Sequence, residues 1–75
     1  MFGDELSKLR AKAGLTQEEV GAAAGISREY VSMLESGKNT PTIDVFVRLC
    51  RAVGSPPAEV LARIERHYRR IPSGR

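Results

Sequence analysis

The chain has 75 residues, 41% of them hydrophobic and 28% charged, which allows one small folded core and argues against a disordered chain. Its single cysteine, Cys50, excludes an internal disulfide framework, no apolar run approaches the roughly 20 residues of a bilayer span, and Asp4 and Glu5 stand where a signal peptide would be basic; a soluble cytoplasmic protein is expected. The net charge of +3 is uneven: residues 1–62 carry seven Lys/Arg against eight Asp/Glu, whereas residues 63–75 carry five Arg against Glu65 alone. That asymmetry fits an anionic partner and fits a solvated helix end equally well.

With two Phe, two Tyr and no Trp, the core must be aliphatic. Phe2, Leu6, Leu9 and Ala13 repeat every three or four residues and define one face of a first helix, which Gly14 can close. Thr16-Gln17-Glu18-Glu19 is a capping box, flanked by Leu15 and Val20 as a hydrophobic staple, and the short second helix stops at Gly25. Ser27 caps a third helix with Val31 and Leu34 facing inward, Tyr30 beside them, and Gly37 at its end. Thr42 caps a fourth helix whose inward face is read as Ile43, Phe46, Leu49, Cys50 and Val53, up to Gly54. Ser55-Pro56 starts a fifth, with Val60, Leu61, Ile64 and Tyr68 as its apolar stripe before Pro72. No segment alternates with the period of two that marks a strand, so the expected fold is a compact all-α bundle of five helices.

Only Gly25-Ile26-Ser27 separates the second and third helices, and so short a turn forces a steep crossing, the helix-turn-helix geometry. The small residues Gly21, Ala22, Ala23 and Ala24 supply room where the helices meet. Together, Gly14-Leu15-Thr16-Gln17-Glu18-Glu19-Val20, Ala24-Gly25-Ile26-Ser27-Arg28, Val31-Ser32-Met33-Leu34-Glu35-Ser36-Gly37-Lys38 and Pro41 resemble the phage-repressor and Cro type of helix-turn-helix domain. That XRE-like family also includes the small controllers of restriction–modification systems. The resemblance spans roughly residues 4 to 65 and is most specific from Gln17 to Lys38. It implies a lambda-repressor-like DNA-binding domain, expected over residues 1–71 with the helix-turn-helix at about 16–36 and a frayed tail at 72–75. It also implies a homodimer on a palindromic operator in double-stranded DNA. Gly21 departs from the family, which usually has Ala there; Gly meets the same steric demand and weakens the helix by about 1 kcal/mol.

Opposite Val31 and Leu34, the third helix presents Arg28, Glu29, Ser32 and Met33, with Ser27 at its tip. The first turns of such a helix are the part that reaches base edges in the major groove. Arg28 is the first candidate for base contact, because a guanidinium can donate twice to guanine O6 and N7. Glu29 either accepts from cytosine N4 or serves the helix dipole and orients Arg28. Ser27 is first a cap and then a possible base contact. Met33 either touches a thymine methyl or belongs to the peripheral core.

Candidate backbone contacts frame this helix. Gln17 sits at the start of the second helix, where free amides and the dipole favour an anion, and the resemblance makes it a phosphate contact. Tyr30 and Ser32 are placed near the phosphates by the resemblance, although Tyr30 serves equally as half-buried packing. Lys38 and Asn39, with Ser36 and Thr40, can grip phosphates beyond the far end, or be ordinary loop polarity. Arg10 and Glu35 are implied by the resemblance to form a structural ion pair that fixes the third helix and touches no DNA.

Catalysis is not expected. His67 and Cys50 make neither a zinc site nor a nucleophile–base pair, no phosphate-binding glycine loop is present, and neither metal nor other cofactor is called for. Val45 and Val47, with Val60, Leu61, Ile64 and Ile71 on or beyond the fifth helix, exceed what one helix face can bury. The expected dimer seam is therefore Val60, Leu61, Ile64, Tyr68 and Ile71, unless some of these complete the monomer core. Arg63, Arg66, Arg69 and Arg70 then line DNA, cover the seam or meet an acidic partner. A second reading is a helix-turn-helix used for protein interaction, as in an antitoxin or regulatory adaptor, in line with the near-neutral body and Glu29 on the reading face.

Overall fold

The computed structural model describes residues 2–69, and these form five helices and no strand. They are α1 (Phe2–Ala13), α2 (Gln17–Ala24), α3 (Arg28–Glu35), α4 (Ile43–Ala52) and α5 (Pro57–Arg69). Ile71 and the tail at 72–75 lie outside the described residues.

Local chemistry sets the helix starts. Thr16 Oγ1 accepts from the Glu19 amide at 3.0 Å while the Thr16 amide donates to Glu19 Oε1 at 2.8 Å, completing the capping box of α2. Ser27 Oγ accepts from the Tyr30 amide at 3.1 Å, and Thr42 Oγ1 accepts from that of Val45 at 3.2 Å. Helix α5 starts at Pro57, one residue later than the sequence suggests, because the Pro56 carbonyl accepts the first helical bond from Val60.

Leu6, Val20, Ala24, Val31, Leu34, Val45, Leu49 and Val53 form the main core, joining α1 to α4. Phe46, Cys50 and Val60 form a second cluster that attaches α5, with Phe2, Leu9, Val47 and Ile64 at its edge. The Phe2 and Phe46 rings meet at 5.3 Å, tilted by 60°. Burial pushes the Cys50 thiol pKa up, against the opposing pull of the nearby Arg63 charge, which suits an unreactive core residue.

Two glycines determine how closely α2 and α3 meet. Gly25 ends α2 at φ +75°, the left-handed region an L side chain rarely adopts, and turns the chain toward Ser27. A Cβ on Gly21 would lie 2.7 Å from the Ile26 carbonyl oxygen, so in this chain glycine is a packing requirement and not simply a weaker substitute for alanine.

Some apolar positions fall elsewhere than their spacing suggests. Ala13 is exposed at the end of α1, and Ile43, read as inward, is 75% exposed. Val60, read as part of a dimer seam, is fully buried against Phe46 and Cys50 and belongs to the monomer core. No helix among the described residues is long and apolar enough to cross a membrane.

Candidate nucleic-acid interface

Helix α3 is anchored by Val31 and Leu34, both essentially without solvent exposure, while Arg28, Glu29 and Met33 are exposed on the other side and Ser32 is half-buried. Residues 28 and 32, and 29 and 33, are one helical turn apart, so the four side chains form a continuous stripe. Arg28 Nη2 lies 3.5 Å from Glu29 Oε2, between side chains that are 54% and 72% exposed. A pair so open to water contributes little stability, and Arg28 is free to exchange it for another acceptor. Ser27 uses one oxygen lone pair on the cap and keeps its hydroxyl proton to donate. Tyr30 is half-buried and packs against the main core.

The turn after α3 is wound back on its own end. Ser36 Oγ donates to the Met33 carbonyl at 3.1 Å, and that carbonyl also accepts from the amides of Lys38 at 3.0 Å and Asn39 at 3.4 Å. Lys38, Asn39 and Thr40 are thereby exposed together just past the helix. At the start of α2, the amides of Gln17 and Glu18 have no carbonyl behind them, and the capping box leaves both unused.

An ion pair joins α1 to the end of α3. Arg10 Nε donates to Glu35 Oε2 at 2.6 Å and Nη2 to Oε1 at 3.2 Å, a two-pronged contact, while Nη1 donates to the Leu15 carbonyl at 3.0 Å. The bond to Glu35 pushes the Arg10 pKa up despite partial desolvation, so the guanidinium is charged throughout the working pH range. Gln17 joins the same carboxylate, donating Nε2 to Glu35 Oε1 at 3.0 Å.

Several contacts are invisible to local sequence patterns. Arg48 Nη1 donates to the Ala24 carbonyl at 3.0 Å, satisfying the end of α2 from α4, and Nη2 reaches Asp44 at 3.1 Å. The i,i+4 spacing of Asp44 and Arg48 is legible; the reach to residue 24 is not. Arg63, read as facing DNA, a seam or an acidic partner, instead bonds Glu5 at 2.9 Å and ties α5 to α1. The side chain of Arg69, and Arg70 altogether, lie outside the described residues, whereas Arg66 and His67 are exposed on α5. His67 stands edge-on to Tyr68 at 5.7 Å, and no group of three potential metal ligands gathers among the described residues.

An apolar groove of about 220 Å³ runs between the start of α4 and the outer face of α5. Ile43, Leu61, Ile64 and Tyr68 line it over a floor of Phe2 and Phe46. Leu61 is 52% exposed there and Ile43 75%, so two large apolar side chains stand open to water on the same groove.

Two short helices joined by the three-residue turn 25–27 on an all-α scaffold, with one polar stripe held outward, define a helix-turn-helix protein. Residues 6–60 match the helix-turn-helix family, and the chain belongs to it, in its XRE-type branch. It is 39% identical over 61 residues to an uncharacterized HTH-type transcriptional regulator, y4dJ, of Sinorhizobium fredii, covering 81% of this chain and 79% of the relative. Among solved structures it is similar to the restriction–modification controller protein C.AhdI of Aeromonas hydrophila, with TM-score 0.75 and 32% identity over 79% of this chain and 86% of that one. The clp gene regulator ClgR of Corynebacterium glutamicum superposes with TM-score 0.78 and 31% identity, covering 87% of this chain and 84% of that structure. These relatives carry the names of regulators and a controller, and the fold of this chain is shared with the two solved structures.

Proposed function

We propose that the chain is a cytoplasmic, sequence-specific regulator of transcription, a repressor or controller, that binds a palindromic operator in double-stranded DNA as a homodimer. The observation that carries this reading is the outward stripe of α3, Arg28, Glu29, Ser32 and Met33, backed by the wholly buried Val31 and Leu34. A helix so anchored can enter a major groove without losing its seat on the core. In that pose Arg28 reads guanine, Met33 meets a thymine methyl, Glu29 accepts from cytosine or holds Arg28, and Ser27 donates at the tip. Gln17 with the free amides of α2 grips one backbone strand. Lys38, Asn39 and Thr40 grip the other, Ser36 joins them by turning its hydroxyl away from the Met33 carbonyl, and Tyr30 and Ser32 stand beside the phosphates.

Two copies meeting across the groove of Ile43, Leu61, Ile64 and Tyr68 would cover its apolar wall and place two reading helices on one duplex. Their half-sites then fall about one helical turn, roughly 34–36 Å, apart.

Glu29 beside Arg28, and a body whose residues 1–62 hold one more acid than base, favour a second reading as a protein-interaction module. Salt separates the two. Fluorescence anisotropy with a labelled duplex should give log affinity falling against log salt with a slope of about −2 or steeper, as Lys38 from each protomer displaces counterions. A flat response would reject phosphate-based binding and favour the protein partner.

A further inference from the structure

Gln17 opens α2 and Glu35 closes α3, 18 residues apart, yet their side chains are bonded at 3.0 Å. The oxygen that receives Gln17 also receives Arg10 Nη2, while the other carboxylate oxygen receives Arg10 Nε. Glu35 is only 9% exposed, so this carboxylate is fixed by its surroundings before anything binds. Arg10 also holds the Leu15 carbonyl, in the loop that leads into the Thr16 cap. One side chain on α1 thus sets both the entrance of α2 and the position of Glu35.

A carboxamide nitrogen carries two hydrogens, and Glu35 takes one. The second is left to donate elsewhere, and the backbone amides of Gln17 and Glu18 are likewise left unused by the capping box. A glutamine with free rotamers must surrender them when it grips a phosphate; one already held gives up much less. Nor does the carboxylate repel the phosphate strongly, because the Arg10 charge cancels its own.

We propose that Glu35 is a positioning residue for DNA binding: held by Arg10, it presents the remaining amide hydrogen of Gln17 to a backbone phosphate. The ion pair then sets affinity as well as stability. This inference rests on the DNA-binding reading above.

A double-mutant cycle tests it, using the duplex the protein enriches from a randomised pool. Arg10→Met with Glu35→Leu replaces the pair by apolar side chains of similar length, an exchange that folds tolerate. In the wild-type background Gln17→Ala should weaken binding about tenfold or more, the effect of one hydrogen bond to a charged acceptor. In the paired variant the same Gln17→Ala should change affinity by less than about twofold, since the paired variant has already lost that contact. Neutralising single phosphates as methylphosphonates adds a readout that a merely structural role would not move: the phosphate sensitive in the wild type should become insensitive in both variants.

If the paired variant loses helical content, Glu35→Gln serves in its place, because a neutral amide offers one acceptor oxygen to the three donors that the two carboxylate oxygens now share. An equal cost of Gln17→Ala in both backgrounds, with the same sensitive phosphate, overturns the positioning role and leaves the DNA-binding reading intact. A wild-type chain that enriches no duplex overturns that reading and this inference together.

Discussion

Arg28 sits within the first turn of α3, exposed, with Glu29 at 3.5 Å as its only ion-pair partner among the described residues. Its value lies in what it can exchange that weak contact for. Arg28→Ala should leave thermal stability unchanged and cost about 1–3 kcal/mol of operator affinity, while relaxing preference at a single base pair. Comparing bound-sequence profiles of the two proteins checks this, and an unchanged profile would remove Arg28 from the reading role. At this scale the sequence is informative about which side chains face outward, because the helical period settles that once Val31 and Leu34 are assigned inward. It is silent on where long side chains go. Arg48 on Ala24, Arg63 on Glu5 and Gln17 on Glu35 each span 18 residues or more, and no local pattern encodes such distances.

Helix starts and stops were legible because they are local chemistry. The capping box at Thr16, the caps at Ser27 and Thr42 and the turn at Gly25 all depend on residues within four positions of one another. Ile43 shows where period alone misleads. It shares the face of Phe46 and Cys50 by spacing, but it lies one turn beyond the part of that face covered by Val60. The periodicity is correct and the cover is missing, which is why Ile43 ends in the apolar groove. Gly21 shows the reverse case, in which propensity argues for alanine and packing against it. Helix propensity offers about 1 kcal/mol for Gly21→Ala. The Ile26 carbonyl at 2.7 Å opposes it, and overpacking costs about 1–3 kcal/mol. Thermal denaturation should therefore show no gain in Tm and a modest loss; a rise of several degrees would mean the turn shifts freely.

For the whole molecule, the consequences run through the groove on α4 and α5. Its wall of Ile43, Leu61, Ile64 and Tyr68 remains uncovered in a single chain, whereas Val60 beneath it is spent on the core. Leu61→Glu should preserve the helical circular-dichroism signal and abolish self-association in sedimentation. The loss of coupled half-sites should weaken operator binding on the order of 100-fold. A variant that still sediments as a dimer would move the seam elsewhere. The positive charge is redistributed at this scale too. Arg63 is consumed inside the fold, so the basic surplus read from the C-terminal residues is smaller on the surface than in the sequence.

Selection of bound duplexes from a randomised DNA pool, followed by sequencing, tests the central claim most directly. An enriched inverted repeat with half-sites about one helical turn apart is the predicted result, and it would supply the operator and the two-fold symmetry together. A pool that emerges unenriched, with only weak and salt-sensitive binding, would contradict sequence-specific reading by α3.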